Sequence, residues 1–229
     1  MYGTLGAYSG PGKFDVVYND GNLLVVNKPS GLLSVPGRGP EKADSLTTRI
    51  QSEFPDALCV HRLDMATSGL LVFARGAKIH RQLSQLFRER GISKNYIAIV
   101  AGHFEQAAGE IDLPLAADWP NRPKQRVDFV SGKPSLTRYR VLGAAEGFFH
   151  SQPGKPLLDA SRIELEAVTG RTHQLRVHLS AIGHPVLGDE LYGARNFCTA
   201  TRLLLHARGL SFMHPSRQEM LFLTAEPPF

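Results

Sequence analysis

The sequence has only two cysteines, Cys59 and Cys198, and no CxxC pair. This excludes a disulfide-rich scaffold and argues against a cysteine-based zinc site. No apolar run approaches the roughly 20 residues that a membrane-spanning helix needs. Neither GxGxxG nor a P-loop pattern occurs, which predicts no nucleotide cofactor site. Residues 1–14 lack the basic start and apolar stretch of a signal peptide, so we expect none. The low cysteine content fits a reducing cytoplasm, where we expect the protein to act.

The charge is unevenly distributed along this chain of 229 residues, whose formal net charge is +5. The first basic run comprises Arg75, Lys78, Arg81, Arg88, Arg90 and Lys94, and the second comprises Arg122, Lys124, Arg126, Lys133, Arg138 and Arg140. Such runs form either solvated faces that keep a protein soluble or a surface that follows a phosphate backbone. Their single sign favours the second interpretation.

Helical and strand patterns are mixed, and hairpins dominate the connections, so we predict an α+β fold on a largely antiparallel mixed sheet flanked by helices. We expect residues 1–13 to be flexible and 14–229 to form a single catalytic domain. The predicted strands are 14–18 and 23–26 as a hairpin, 96–100, 127–130 and 136–142 as a second hairpin, 162–168, 203–205, 210–212 and 220–223. The predicted helices are one capped by Asp44 or Ser45, one over 77–90 that stops at Gly91, and one over 172–182.

One segment, His61 to Leu70, places Asp64 between an arginine and a Thr-Ser-Gly turn, directly before an apolar run. A carboxylate beside a cation, where a loop enters a strand, is a frequent site of chemistry. An Asp before Thr-Ser-Gly is also a common turn or cap residue that accepts backbone N–H bonds. The residues alone leave both interpretations open.

Two further segments carry candidate residues. In the segment 93–98, Tyr96 is either a core aromatic of a strand or a stacking platform for an extruded base. In the segment 169–178, Arg171 stands at the entry of a helix, where it either bridges loop and sheet or pairs with a carboxylate from another segment. His61, His173 and His178 with Asp64 are a possible metal set, but their spacing suits no single helical face, so we expect no metal.

Five motifs, in this order, resemble the RluA family of pseudouridine synthases. They are VVNKPSGLLSVPGR from residue 25, HRLDMATSGLLVFA from 61, KNYIAIVAG from 94, TGRTHQLRVHLSAIGHPVLGD from 169 and RLLLHARGLSFMHP from 202. The resemblance runs from about residue 14 to 225. The segment DWPNRPKQRV, residues 118–127, is similar to the subgroup that modifies both tRNA and large-subunit ribosomal RNA.

This resemblance implies the pseudouridine synthase fold without an S4 domain and the isomerisation of uridine in RNA without a cofactor or metal. The N-glycosidic bond breaks, the uracil turns, and a C–C bond forms from C5. Asp64 is then the catalytic carboxylate, acting at C1′ of the ribose or at C6 of the ring. Arg171 would pair with Asp64, and Tyr96 would pack on the uracil.

The implied partners are tRNA, modified at uridine 32, and 23S rRNA, modified at uridine 746. We expect a monomer, because no apolar repeat or extra helix suggests a partner surface. The target base must be flipped out; Arg62 would fill the vacated stack, contact a phosphate or pair with Asp64. The expected RNA-binding residues are Arg62, His61, Lys78, Arg81, Arg122, Lys124, Arg126 and Arg176. Alternatives are another ribosomal uridine, a metal-dependent RNA hydrolase or a non-catalytic RNA-binding factor. Two features depart from the family pattern: residues 143–160, expected to form a surface loop, and the acidic pair Glu164 and Glu166.

Overall fold

The computed structural model describes residues 14–147, 149–151, 159–193 and 198–229. The chain divides into two compact units. The first comprises the residues up to Ser93 together with Ala207–Pro227, and the second comprises Lys94–His206 with Pro228–Phe229. The expected flexible N-terminus, residues 1–13, lies outside the described residues. A single catalytic domain over 14–229 stays a prediction.

Three α-helices are interspersed among strands that pair mostly antiparallel along the described chain, which confirms the α+β class. The strands are β1 Asp15–Asn19, β2 Leu23–Lys28, β3 Ala57–Cys59, β4 Ser68–Arg75, β5 Ser93–Ala101, β6 Ala108–Asp112, β7 Leu115–Ala117, β8 Gln125–Val127, β9 Leu136–Ala144, β10 His150–Ser151, β11 Ala160–Ala167, β12 Cys198–Thr199, β13 Leu205–Met213 and β14 Met220–Thr224. The α-helices are α1 Leu46–Gln51, α2 Ala77–Arg88 and α3 Gln174–Ala181, and short 3-10 turns lie at Pro40–Lys42 and Trp119–Asn121. Within the described ranges, none of the helices has the length and apolar composition needed to cross a membrane.

The first unit contains strands in the order β1-β2-β4-β13, with β3 beside β4 and β14 beside β13. The predicted first hairpin is confirmed, and its turn is stabilised by Asp20. The Asp20 carboxylate accepts hydrogen bonds from the amides of Asn22 at 2.7 Å and Leu23 at 2.8 Å. Strand β4 is buried along almost its whole length, which explains why its sequence is nearly continuously apolar.

The two helices of the first unit begin where their sequence predicts, but their ends differ in detail. Ser45, rather than Asp44, caps α1, because its hydroxyl accepts from the Thr48 amide at 3.2 Å. At the end of α2, Arg90 takes the left-handed conformation, with φ of 60°. The Gly91 amide then donates to the Leu86 carbonyl at 2.8 Å. The helix ends at Arg88, two residues before the expected end at residue 90.

The second unit contains strands in the order β5-β11-β9-β6. The predicted alternation of β11 is confirmed, because Ile163, Leu165 and Ala167 are buried. The predicted second hairpin is wrong. Strand β8 pairs with β7, whereas β9 pairs with β11 and β6, both distant in sequence. Of the expected loop over 143–160, residues 148 and 152–158 lie outside the described residues, and β10 within it pairs with β12.

Candidate active site

The Asp64 segment forms the connection between β3 and β4, in the first unit. Asp64 is half-buried, and its backbone carbonyl accepts from the Thr67 amide at 3.1 Å, which closes a turn. At Gly69, φ is +114° and a Cβ would lie 2.3 Å from the Ala207 carbonyl oxygen. Only glycine fits there. The Thr-Ser-Gly pattern thus fixes the point at which the Asp64 loop enters the sheet.

The fully buried side chain of Lys28 holds this loop in place. Its ammonium donates to the carbonyls of Pro29 at 2.9 Å, Leu32 at 2.7 Å and Met65 at 3.0 Å. An ammonium has three donors, and each of these bonds goes to a backbone oxygen. The lysine therefore joins the 28–32 segment to the residue that follows Asp64.

Two serines add to the same support. The Ser30 hydroxyl donates to the Ala66 carbonyl at 2.6 Å. The Ser34 hydroxyl donates to the Leu63 carbonyl at 2.7 Å and accepts from the Leu63 amide at 3.1 Å. The sequence reasoning assigned no role to these serines or to Lys28. The available signal was a lysine at the end of an apolar strand, since a lysine there is buried only when it is paired.

His61 and Arg62 differ in their surroundings. The His61 ring accepts a hydrogen bond at Nε2 from the Val72 amide at 3.2 Å and stacks on Phe87 with centroids 4.6 Å apart. A ring held this way has a structural role, which argues against His61 as an RNA contact. Arg62 is exposed. Burial raises the pKa of the nearby Cys59 thiol to about 11, as expected for a structural cysteine.

Helix α2 separates an apolar face from a basic one. Ile79 and Leu83 are buried against the sheet, whereas Lys78 and Arg81 are exposed. The basic residues of this helix are thus available to a polyanion, as the charge pattern predicts. Arg75, at the end of β4, instead pairs with Asp56 at 2.8 Å.

The 169–178 segment lies in the second unit, and Gln174 orders its start. The Gln174 side-chain oxygen accepts from the Thr169 hydroxyl at 2.7 Å and from the Arg171 amide at 3.0 Å. His173 adopts the left-handed conformation directly before α3, and its Nδ1 lies 2.6 Å from the Tyr192 hydroxyl. The backbone that carries Arg171 is therefore rigid.

The Arg171 guanidinium is exposed and lies 3.4 Å from the Pro134 carbonyl oxygen. Tyr96, also in this unit, is half-buried on β5 opposite Leu165 of β11. Since Asp64 belongs to the first unit, its pairing with Arg171 and a shared site with Tyr96 stay predictions.

Two residues of the same segment prove to be structural. Arg176 is 5% exposed, and its guanidinium donates two hydrogen bonds to the buried Asp189 carboxylate, at 2.7 and 2.8 Å. This corrects the expectation that Arg176 contacts RNA, because its donors already face a buried acid. His178 is buried between the Thr137 hydroxyl and the Leu113 carbonyl, each 3.0 Å from one ring nitrogen. Burial lowers the pKa of His178, so the ring is neutral at pH 7.

Only part of the second basic run is available for contact with RNA. Arg140 pairs with Glu164 at 2.6 Å, and Arg138 pairs with Glu110 at 2.7 Å and Glu166 at 3.4 Å. These residues face each other across β6, β9 and β11. The unexpected acids of β11 therefore neutralise two arginines of the run.

The rest of the run lies on a segment defined here as the arm, residues 115–133. Arg122 is exposed and lies over the Trp119 ring at 3.2 Å, and Arg126 pairs with Asp128 at 2.8 Å. Lys124 is half-buried. Across the described part of the chain, no three His, Cys, Asp or Glu side chains are grouped to hold a metal ion.

Comparison with known proteins identifies the family. A family model described as RNA pseudouridylate synthase matches residues 22–181. The dual-specificity RNA pseudouridine synthase RluA of Yersinia pestis is 48% identical over 215 residues, which cover 93% of this chain and 99% of that protein. The protein of the same name from Escherichia coli strain K12 is 47% identical over 215 residues, 93% of each chain.

Solved structures agree with this result. The structure titled Human RNA Pseudouridylate Synthase Domain Containing 1 has a TM-score of 0.77 at 30% identity and covers 95% of this chain and 84% of that one. Human RNA Pseudouridylate Synthase Domain Containing 4 has a TM-score of 0.71 at 26% identity, with 93% and 88% covered. The chain belongs to the RNA pseudouridylate synthase family and is an isomerase that converts uridine in RNA to pseudouridine.

Proposed function

We propose that this synthase modifies two RNAs, a tRNA anticodon stem-loop at uridine 32 and a 23S rRNA hairpin at uridine 746. The supporting observation is the 47–48% identity, over 93% of the chain, to relatives named dual-specificity enzymes. We further propose that it acts in the cytoplasm as a monomer, without a cofactor or metal.

Asp64 is proposed as the catalytic carboxylate. It lies in a turn that Lys28, Ser30 and Ser34 hold from the neighbouring loop, so its position is set before substrate arrives. In the reaction the N1–C1′ bond breaks, a C5–C1′ bond forms, the proton on C5 is lost and N1 gains a proton. A carboxylate supports this by attack at C1′ or at C6.

Tyr96 and Arg171 are proposed to serve the same reaction, by packing on the uracil and by pairing with Asp64. Their support is the family motifs that contain them, since the two residues lie in the second unit and Asp64 in the first. A double-mutant cycle tests this. If the two residues act together, the double variant Asp64→Asn/Arg171→Ala should lower kcat by a much smaller factor than the product of the two single-variant factors. If the two factors simply multiply, the residues act independently of each other.

RNA binding is proposed for the exposed cations of the first unit, Arg62, Lys78 and Arg81, and for Arg122, Lys124 and Arg126 of the arm. Arg62 is the candidate to fill the stack that the flipped uridine leaves. Removal of a residue that contacts a phosphate should reduce the salt dependence of binding by about one unit of slope in log Kd against log salt.

The decisive experiment measures tritium release from transcripts of both RNA hairpins labelled with ³H at C5 of uridine. Wild type should release tritium from both, with and without EDTA. Asp64→Ala should release none yet bind RNA nearly as wild type, and Asp44→Ala, an exposed acid, serves as control. Release from one hairpin alone would refute dual specificity. Strand cleavage that EDTA stops would indicate a hydrolase, and near-wild-type release by Asp64→Ala would refute its catalytic role.

A further inference from the structure

The turn at residues 128–131 of the arm carries two adjacent apolar residues that are largely exposed. Phe129 is 77% exposed and Val130 is 99% exposed. No family motif identified in the sequence includes them, and only Asp128 separates them from the DWPNRPKQRV segment. Single exposed apolar residues are common, but an aromatic ring presented on a rigid turn suggests a binding contact.

The turn is held rigidly by Asp128. Its carboxylate accepts from the amides of Ser131 at 2.9 Å and Val130 at 3.0 Å, and from the Ser131 hydroxyl at 3.0 Å. The Arg126 guanidinium donates to it at 2.8 Å. The Ser131 amide, followed by Arg126, holds the pKa of this carboxyl well below its usual range. The apolar pair therefore sits on a preformed turn, which lowers the entropy cost of using it.

The arm is also joined to the 169–178 segment. The Gln125 amide donates to the Tyr192 hydroxyl at 2.8 Å, and that hydroxyl lies 2.6 Å from Nδ1 of His173. Beyond the turn, Lys133 pairs through its backbone with Leu115 at 2.8 and 3.0 Å. The apolar turn thus has a fixed position relative to the segment that carries Arg171.

The surroundings of the turn indicate what binds it. Arg122, Lys124, Arg126 and Lys133 are the basic residues of the arm, against Asp118 and Asp128. At roughly 200 Å² for a phenylalanine, the exposed ring offers only about 150 Å². This is far below the roughly 800 Å² per partner of a stable protein interface. An exposed aromatic ring on a segment rich in cations suits stacking on an unpaired base, because the cations of that segment can contact the phosphates of the same RNA strand.

We propose that Phe129 is a stacking platform for an unpaired loop base of the RNA substrate, with Val130 covering the edge of that base. The base is distinct from the uridine that reacts. This inference rests on the proposed function and names a further contact between the same enzyme and its substrate. Phe129 acts on binding and specificity and takes no part in the bond-making steps.

The test compares Phe129→Ala with Phe222→Ala as a control. Phe222 lies on β14 and is 73% exposed. With the tRNA anticodon stem-loop, Phe129→Ala should raise KM about tenfold, which is about 1.4 kcal/mol, and leave kcat within about twofold. Phe222→Ala should change neither. Both variants should keep the wild-type thermal midpoint, because neither ring is buried.

Two conservative variants separate stacking from simple apolar contact. Phe129→Tyr keeps the ring and should restore the wild-type KM, whereas Phe129→Leu keeps apolar volume and should behave like Phe129→Ala. The stem-loop is also made with 2-aminopurine at each loop position in turn. The wild-type enzyme should quench the 2-aminopurine fluorescence at one loop position, and the Phe129→Ala variant should not.

The outcomes distinguish the two proposals. If wild type neither binds nor modifies the stem-loop, the proposed function fails and this inference fails with it. If wild type turns over but Phe129→Ala matches Phe222→Ala in KM, the inference alone is overturned. A Phe129→Leu variant with wild-type KM, or quenching unchanged in Phe129→Ala, would also overturn stacking.

Discussion

Replacing Lys28 with methionine tests how the Asp64 loop is held. Methionine keeps most of the apolar stem and removes the ammonium, so three carbonyl acceptors lose a charged donor. A hydrogen bond to a charged group contributes about 1.5–3 kcal/mol. The Leu32 bond is buried, whereas the bonds to Pro29 and Met65 are partly accessible to water, which limits their loss. Removing a buried charge also relieves a desolvation cost of several kcal/mol. We expect a net destabilisation of about 2–4 kcal/mol.

The assay is urea unfolding at pH 7, with Lys78→Met as the matched control. Lys78 is exposed on α2, so the same change there should alter the free energy of unfolding by no more than about 0.5 kcal/mol. The midpoint of Lys28→Met should fall without a change in the slope of the transition. Wild-type stability in Lys28→Met would refute the structural role of its three hydrogen bonds.

Kinetics of the same pair of variants test the functional consequence. A loosened Asp64 loop should lower kcat, because a displacement of about 1 Å at a reacting group can cost about 100-fold. Lys78→Met should instead raise KM, since Lys78 is a proposed phosphate contact. If folded Lys28→Met turns over at the wild-type kcat, the lysine stabilises the fold without positioning Asp64.

Two further predictions concern buried groups of the second unit. Arg176→Met should destabilise the protein by about 3–5 kcal/mol, because it leaves the Asp189 carboxylate buried and unpaired. Arg176→Met with Asp189→Asn should recover part of this loss in urea unfolding, and a double mutant less stable than Arg176→Met would contradict the pairing. The pKa of His178 is lowered by burial, so its stabilising effect is present above its unfolded pKa of about 6.5 and is lost as pH falls through the lower folded pKa. Unfolding followed from pH 7.5 to 5 should show a smaller loss of stability in His178→Gln than in wild type, and equal losses would contradict this reasoning.

Local features of the fold could be predicted from the sequence because their causes lie within a few residues. The first hairpin depends on Asp20 and its neighbours, the start of α1 on Ser45, and the half-buried strand β11 on strict alternation. The second hairpin was wrong for the opposite reason. The chain does turn nearby, at residues 129–131, but β9 pairs with β6 and β11 and not with the strand that precedes it.

The sequence by itself determined the family, the α+β class and the candidate carboxylate Asp64, because ordered motifs and short-range patterns are written along the chain. Only the tertiary structure decided which charged side chains are exposed and can contact RNA. It buries Lys28 beneath the Asp64 loop, removes Arg176 from the RNA-binding candidates and leaves Phe129 exposed on its turn. Burial and ion pairing depend on residues far apart in sequence. A lysine or arginine has the same letter whether it contacts water, a phosphate or three backbone carbonyls.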